Sequence, residues 1–269
     1  MDQPLNIDLD HWEKKGFLIF KNLFDESEIN NFTSDIDLMT QTCSKLSQKI
    51  TVDILEGPSI GQRKKLSQLN DQERNCSMKI NDLFLELDSC RNLCLADKLC
   101  IFLNKLLDDT CSIINSLTFN KGSQQPCHFD TFYMPPPTEG KMVVASVCLE
   151  NQSANSGPLV YFPGSHLIKP YVFNHGGIHA IEEEMRHASS YIKNELENRN
   201  LNKEVFIGNI GDVFIWHGQL YHGGNEIIDH SLTRKTLVTH YWGKTDLHEK
   251  RVIECGKYGS YLNRNHQKV

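Results

Sequence analysis

Residues 211–225 read GDVFIWHGQLYHGGN, and this stretch decides the class of fold. It opens on Gly211-Asp212, continues through apolar β-branched and aromatic residues up to Trp216, and ends in a glycine-rich turn. A run of this kind bounded by glycine predicts a buried strand that leads into a turn. Two histidines, His217 and His222, lie close to that turn. The stretch therefore predicts a β fold with two histidines at one strand end.

Five other segments in the second half of the chain have the same character. They are short, rich in β-branched or aromatic residues, and separated by clusters of glycine, proline and asparagine: 113–119, 142–149, 159–162, 204–207 and 236–242. Six such strands predict a mainly β fold, either a sandwich or a barrel. One solvated helix is predicted between them, within about 178–202.

The first 110 residues have a different pattern, which predicts mainly helix. Asp25 and Glu28 have the spacing of a capping box, and apolar residues recur at helical intervals after them. Two further helices are predicted within 80–107. The polar segment 56–75, which contains the charged run Arg63-Lys64-Lys65, is predicted to be a loop or a lid. That run is typical of a solvated loop, although within a lid it could meet an anionic substrate.

The whole chain is predicted to form one domain, because all-β folds of this length commonly form a single unit. We expect a largely helical part over 1–110, a β core over 111–245 and a polar tail over 246–269.

Composition narrows the class of protein further. Lys and Arg number 28 against 34 Asp and Glu, a formal net charge of −6, so the positive field that binding to nucleic acid requires is missing. The nine cysteines form an odd, irregular set, which is typical of a reducing compartment, and we expect a cytoplasmic location. The N-terminus is acidic where a signal peptide would be basic, and the chain has no long apolar run, so we expect neither a signal peptide nor a membrane span.

Two His-x-acid triplets are candidates for a metal site. The side chains of His11-Trp12-Glu13 diverge, because residues two apart in a predicted helix face different sides. His128 and Asp130 lie in or just beyond a predicted strand, where residues two apart share a face and can bind one ion. Either His217 or His222 can supply a third ligand. Two histidines and one carboxylate leave coordination positions open, which is the arrangement of non-haem Fe(II) oxygenases.

An arginine follows this region, at the start of the last predicted strand. Arg234 lies twelve residues after His222. The planar fork of a guanidinium can pair bidentately with a carboxylate inside a barrel. In combination with the metal candidates, Arg234 is therefore a candidate for binding an anionic co-substrate.

The collinear order of these motifs resembles the phytanoyl-CoA dioxygenase family of Fe(II)- and 2-oxoglutarate-dependent oxygenases. The resemblance covers roughly residues 10–245 and includes His128-x-Asp130, Gly157-Pro158-Leu159, Pro163-Gly164-Ser165-His166, Gly211-Asp212, His222-Gly223-Gly224 and Arg234. It implies a double-stranded β-helix, a jelly-roll or cupin-like fold, with the metal at one open end. It also implies Fe(II) as the metal, with 2-oxoglutarate and O₂ as co-substrates.

The resemblance assigns roles to individual residues. It places the iron on His128, Asp130 and His222, since the family's third ligand directly precedes the Gly-Gly turn, and it leaves His217 out. It implies that Arg234 binds the distal carboxylate of 2-oxoglutarate.

Two polar residues near the His-x-Asp triplet, Gln125 and Tyr133, match positions that contact the co-substrate in the family. Single polar residues of this kind are equally typical of ordinary strand ends.

The expected activity is hydroxylation of an unactivated C–H bond in a small metabolite or biosynthetic intermediate, with release of succinate and CO₂. A small substrate is expected rather than phytanoyl-CoA, because the chain shows no CoA-binding signature. One alternative is a cupin-like module that holds metal and binds a ligand without turnover. Another is a Zn²⁺-dependent hydrolase or isomerase that works without O₂.

Overall fold

The computed structural model describes residues 8–41 and 45–269. The α-helices are α1 (Leu9–Lys15), α2 (Glu26–Gln41), α3 (Asp71–Arg74), α4 (Asp88–Cys94), α5 (Asp97–Leu107) and α6 (Met185–Asn198). The strands are β1 (Phe17–Phe20), β2 (Thr51–Ile54), β3 (Arg63–Lys65), β4 (Met78–Asn81), β5 (Cys111–Phe119), β6 (Met142–Cys148), β7 (Leu159–Tyr161), β8 (Glu204–Phe206), β9 (Val213–His217), β10 (His222–Gly224), β11 (Thr236–Gly243), β12 (Val252–Cys255) and β13 (Gly259–Leu262).

Two sheets form the β part of the protein. The large sheet has the strand order β1-β9-β6-β11-β5-β4-β2-β3, and the small sheet has the order β10-β7-β8. All pairings among the described strands are antiparallel except the one between β13 and β5, which is parallel. The six strands predicted from the sequence are present as β5, β6, β7, β8, β9 and β11, and the predicted inserted helix is α6. The mainly β fold is therefore confirmed.

The two faces of the large sheet have different partners. On β11, Leu237 and Tyr241 are fully buried and pack with residues of α4 and α5, and the Tyr241 hydroxyl donates to the carbonyl oxygen of Cys94 at 2.7 Å. Successive side chains on a strand point to opposite faces, so Thr236, Val238 and His240 point the other way. This second, inner face is left free for polar side chains and for a cavity.

The local sequence explains how the N-terminal helices begin and end. The predicted capping box is present at the start of α2, because the side chains of Asp25 and Glu28 each accept from the other residue's backbone N–H at 2.9 Å. Helix α1 ends at Gly16, whose φ of 78° is left-handed and favours glycine. Strand β1 begins at the next residue and pairs with β9.

The loop expected over 56–75 is partly ordered into a sheet edge, so that expectation is wrong there. Strand β3 lies within it and pairs with β2. Its charges are satisfied: Arg63 forms an ion pair with Asp53, and Lys64 forms one with Glu73, each at 2.5 Å. These pairs fix the charged run to the sheet, which a solvated loop would not do.

The segment expected as a tail, 246–269, is also more ordered than expected. Strands β12 and β13 form a hairpin, and β13 pairs with β5. Beyond it, the Arg264 guanidinium donates to buried Asp82 at 2.7 Å and to the carbonyl oxygen of Ile114 at 3.1 Å. The expectation of a plain tail is wrong because these contacts attach the segment to the sheet. Within the described ranges, no helix has the length and apolar character needed to cross a membrane.

Candidate metal centre

Three of the predicted ligands meet in one place. The ligand atoms of His128, Asp130 and His222 all lie within 4.8 Å of one another. The Nε2 atom of His128 is 3.6 Å from Oδ1 of Asp130, and that of His222 is 3.7 Å from Oδ2. Metal–ligand bonds to nitrogen and oxygen are about 2.0–2.2 Å long, so a small ion fits between atoms at this spacing.

The backbone brings the two histidines together. His128 and His222 form an antiparallel bridge, with N···O distances of 2.8 and 3.1 Å. Gly223 makes this approach possible, because a Cβ atom there would lie 2.8 Å from the carbonyl oxygen of Gln125. Asp130 begins a 3₁₀ turn directly after the bridge. The glycine at this position thus has a steric role, because it lets the segments that carry His128 and His222 pack against each other.

Both histidine rings are oriented by backbone carbonyls. The Nδ1 atom of His128 lies 2.9 Å from the carbonyl oxygen of Pro126, and that of His222 lies 2.9 Å from the carbonyl oxygen of Leu220. A carbonyl only accepts, so each Nδ1 carries the proton and each Nε2 presents its lone pair to the centre. Such outer hydrogen bonds fix the tautomer that a metal ligand needs.

The charges at the centre also suit a cation. Burial opposes ionisation of Asp130, but the surrounding histidines hold its pKa well below the ordinary value, so we assign an ionised carboxylate. Burial lowers the pKa of His222 to about 4, against the opposing charge of Asp130, so this ring is neutral at neutral pH. One carboxylate and neutral imidazoles are the forms that bind a divalent metal.

Two further side chains hold the carboxylate. Trp216 donates from Nε1 to Oδ2 of Asp130 at 2.9 Å, and Nε2 of His240 lies 3.4 Å from Oδ1. Nδ1 of His240 lies 3.3 Å from the amide nitrogen of Asn115, which can only donate, so the His240 proton is on Nε2 and faces Asp130. Trp216 on β9 and His240 on β11 each pair with Val144 on β6, the strand between them.

Sequence reasoning missed His240, although a signal was present. Residues two apart on a strand share a face, and 234, 236, 238 and 240 lie two apart on the last predicted strand and just before it. If Arg234 points into the core of the barrel, His240 therefore points there too.

A cavity of about 510 Å³ is lined by the three candidate ligands and by Arg234. Arg234 is 6% exposed, and Nε of its guanidinium has no hydrogen-bond partner among the described residues. Burial lowers the pKa of Arg234 to about 10, so the group stays charged at neutral pH. A buried cation without a counter-charge is costly, and this cavity therefore suits an anionic ligand.

The other candidate residues lie in different places. Gln125 lines this cavity, but Tyr133 is 50% exposed and borders a neighbouring cavity instead. His217 points to the opposite face of β9 from Trp216, with its ring centroid 5.5 Å from that of His166. The structure therefore brings His222, and not His217, to the other two candidate ligands.

Comparison with known proteins identifies the family. The family model for phytanoyl-CoA dioxygenase matches residues 12–231. The chain belongs to the phytanoyl-CoA dioxygenase family. This family depends on Fe(II) and 2-oxoglutarate, and the ligand set described above fits both. The match ends before Arg234, so the role of that residue rests on the cavity.

Individual relatives of the family are distant. Human "Phytanoyl-CoA dioxygenase, peroxisomal" is 24% identical over 80% of this chain and 62% of its own length. The "Probable alpha-ketoglutarate-dependent hypophosphite dioxygenase" of Stutzerimonas stutzeri is 22% identical over 92% of this chain and 80% of its own length. The chain thus spans about three fifths of the human relative.

Solved structures share the fold. The "non-heme alpha ketoglutarate dependent carbocyclase SnoK from nogalamycin biosynthesis" superposes with a TM-score of 0.66 at 15% identity, covering 93% of this chain and 91% of that one. EctD from S. alaskensis, "with 2-oxoglutarate and 5-hydroxyectoine", gives a TM-score of 0.63 at 15% identity, covering 99% and 86%. The jelly-roll expectation is confirmed by these similarities.

Proposed function

We propose that the protein is an Fe(II)- and 2-oxoglutarate-dependent hydroxylase of a small molecule. The observation that carries this proposal is Arg234, a buried cation without a counter-charge among the described residues, which lines the same cavity as the ligand group. A dicarboxylate that chelates a metal at one end and meets a guanidinium at the other has the complementary chemistry.

The side chains have distinct roles in this reaction. His128, Asp130 and His222 would hold Fe(II), whose redox chemistry couples decarboxylation of 2-oxoglutarate to oxidation of a C–H bond by O₂. One oxygen atom of O₂ enters succinate and the other enters the product, and CO₂ is released. Arg234 orients 2-oxoglutarate by pairing with its distal carboxylate.

The surroundings of the ligands complete the site. Trp216 and His240 keep the Asp130 carboxylate in place by donating to it. The apolar side chains of Leu159 and Val238 line the cavity and keep water from the reacting groups. Because Asp130 occupies a ligand position as a carboxylate, we propose oxygen insertion as the outcome rather than halogenation.

The first experiment measures binding and turnover separately. Anaerobic protein with Fe(II) and 2-oxoglutarate is expected to show the visible charge-transfer absorption of an Fe(II)–2-oxoglutarate chelate, and O₂ is then expected to yield succinate. Arg234→Met should lose the absorption at 2-oxoglutarate concentrations that saturate the wild type. Arg199→Met is the matched control, because Arg199 lies on the surface in an ion pair with Glu195.

The alternatives give different results. Binding of 2-oxoglutarate without succinate formation across a substrate panel would favour a metal-holding module. Turnover with Zn²⁺ in the absence of O₂ would favour a hydrolase or isomerase. A wild-type protein that binds no 2-oxoglutarate would overturn the proposal.

A further inference from the structure

A second cavity, of about 810 Å³, also borders the ligand group. It shares with the first cavity Leu117, Gln125, His128, Asp130 and His240. The metal centre is therefore the junction of two spaces. Arg234 lies in only one of them, so the second space is available for a different molecule.

Most of the residues that line the second cavity are polar. Beyond the shared residues it is lined by Lys79, Asn81, Asn115, Tyr133, Met134 and Gln267. Met134 is the one aliphatic side chain in that set. A long branched hydrocarbon chain would have to desolvate these amide, hydroxyl and ammonium groups without hydrogen-bonding to them, which is costly.

Lys79 gives the second cavity a positive charge near the edge of the large sheet. Lys79, Asp53 and Arg63 face one another across three neighbouring strands. The Asp53 carboxylate pairs with Arg63 at 2.5 Å and with Lys79 at 3.2 Å. Two cations thus share one carboxylate, which leaves a net charge of +1 (2 − 1). Among the residues that line the cavity, Asp130 carries the one carboxylate, and a metal held by it would oppose its charge.

A buried hydrogen-bond acceptor, Oδ1 of Asn81, lies on the same strand as Lys79, two residues further along. Asn81 is 1% exposed, its amide nitrogen donates to Thr51, and its Oδ1 has no partner among the described residues. Residues 79 and 81 are two apart on β4 and so share a face. The wall therefore offers a cation for an oxyanion and an acceptor for a hydroxyl or amino group, side by side.

We propose that the second cavity binds the primary substrate, a small hydrophilic molecule that carries an oxyanion and a hydroxyl or amino donor. Lys79 meets the oxyanion, Asn81 accepts from the donor, and Gln267 of the C-terminal segment forms part of the wall. This assignment rests on the proposed function, since it names the substrate class of that same site. It excludes a branched fatty acyl chain as the group oxidised.

Binding can be measured without turnover by using the Met134 methyl group as a probe. The protein is labelled with ¹³C-methyl methionine and loaded with Zn²⁺, which does not support oxidation. Three probes of similar size are titrated: 4-hydroxybutyrate, its neutral amide 4-hydroxybutyramide, and pentanoate, which lacks the hydroxyl. Met39, which lies on α2 and is buried in the core, is the internal reference for non-specific effects.

We expect 4-hydroxybutyrate to shift the Met134 signal saturably and to bind about tenfold or more tightly than its amide, because a charge-assisted contact is lost. Pentanoate should bind with intermediate affinity. Lys79→Met should remove the preference for the anion, and Lys79→Arg should keep it. Lys64→Met is the control, because Lys64 lies opposite Val52 on the other face and pairs with Glu73.

Equal binding of the acid and the amide to the wild type would overturn the inference, as would an unchanged preference in Lys79→Met. A Met134 signal that does not respond to 4-hydroxybutyrate would also overturn it. If wild-type protein still forms succinate in that case, only the substrate class is wrong. If the anion binds but 2-oxoglutarate does not, the proposed function fails and the anion site stands.

Discussion

Replacing Arg234 with methionine should change stability and co-substrate binding in opposite directions. The ordinary pKa of 12.5 is lowered to about 10 by burial. One pKa unit corresponds to about 1.4 kcal/mol, so keeping the guanidinium charged without a bound anion costs the folded state about 3 kcal/mol. Methionine carries no charge and fills part of the same space. We therefore expect Arg234→Met, without 2-oxoglutarate, to be as stable as the wild type or more stable, by up to about 3 kcal/mol.

The same substitution should strongly weaken binding of 2-oxoglutarate. A bidentate pair contributes two charge-assisted hydrogen bonds of about 1.5–3 kcal/mol each, offset by desolvation, so we expect affinity to fall about a hundredfold. Urea denaturation of the metal-loaded protein, with and without 2-oxoglutarate, measures both effects, because a ligand stabilises only the state that it binds. A less stable Arg234→Met that still responds to 2-oxoglutarate like the wild type would refute the reasoning.

Three further predictions concern the supports of the site. His240→Phe and Trp216→Phe each remove a donor from Asp130 and should weaken metal binding about tenfold to a hundredfold, measured with Co²⁺ against a chelator; unchanged affinity would contradict this. Burial lowers the pKa of His217 from 6.5 to about 4. As pH falls, this residue is therefore protonated in the unfolded chain first, and the folded state loses up to about 3 kcal/mol of stability between pH 6.5 and pH 4. His217→Gln should flatten that loss in urea titrations at pH 7 and pH 4, and an identical loss would exclude His217 as its source. Arg264→Met leaves buried Asp82 without its cation and should cost about 3 kcal/mol in urea, whereas Lys193→Met on the surface should cost little.

Most of the β core could be predicted because its signals are local. Each of the six predicted strands is a compact apolar run between turn residues, and the observed strands agree to within a few residues at their ends. The capping box at Asp25 and Glu28 is equally local. The candidate ligand triplet followed from the spacing of His128 and Asp130 and from the resemblance to a known family, although Asp130 begins a 3₁₀ turn and does not lie on a strand.

The features that were missed depend on pairing partners distant in sequence. Strand β3 is polar because each of its charges pairs with a residue elsewhere on the sheet edge, so composition alone indicated a loop. The C-terminal strands are short and half-exposed, and β13 is held by its pairing with β5. His240 acquires its role from Asn115, which lies 125 residues earlier in the chain.

Strand β11 has a consequence for the order of events during synthesis. It lies between β6 and β5, and among the described strands it alone joins the group β1-β9-β6 to the group β5-β4-β2-β3. A ribosome therefore makes both groups before the strand that joins them. Until Gly243 has emerged, each group has an open edge that can pair with another nascent chain, a situation that chaperones commonly cover. The metal site and the centre of the sheet are then completed by the same late strand, so a protein truncated before β11 should be both inactive and prone to aggregation.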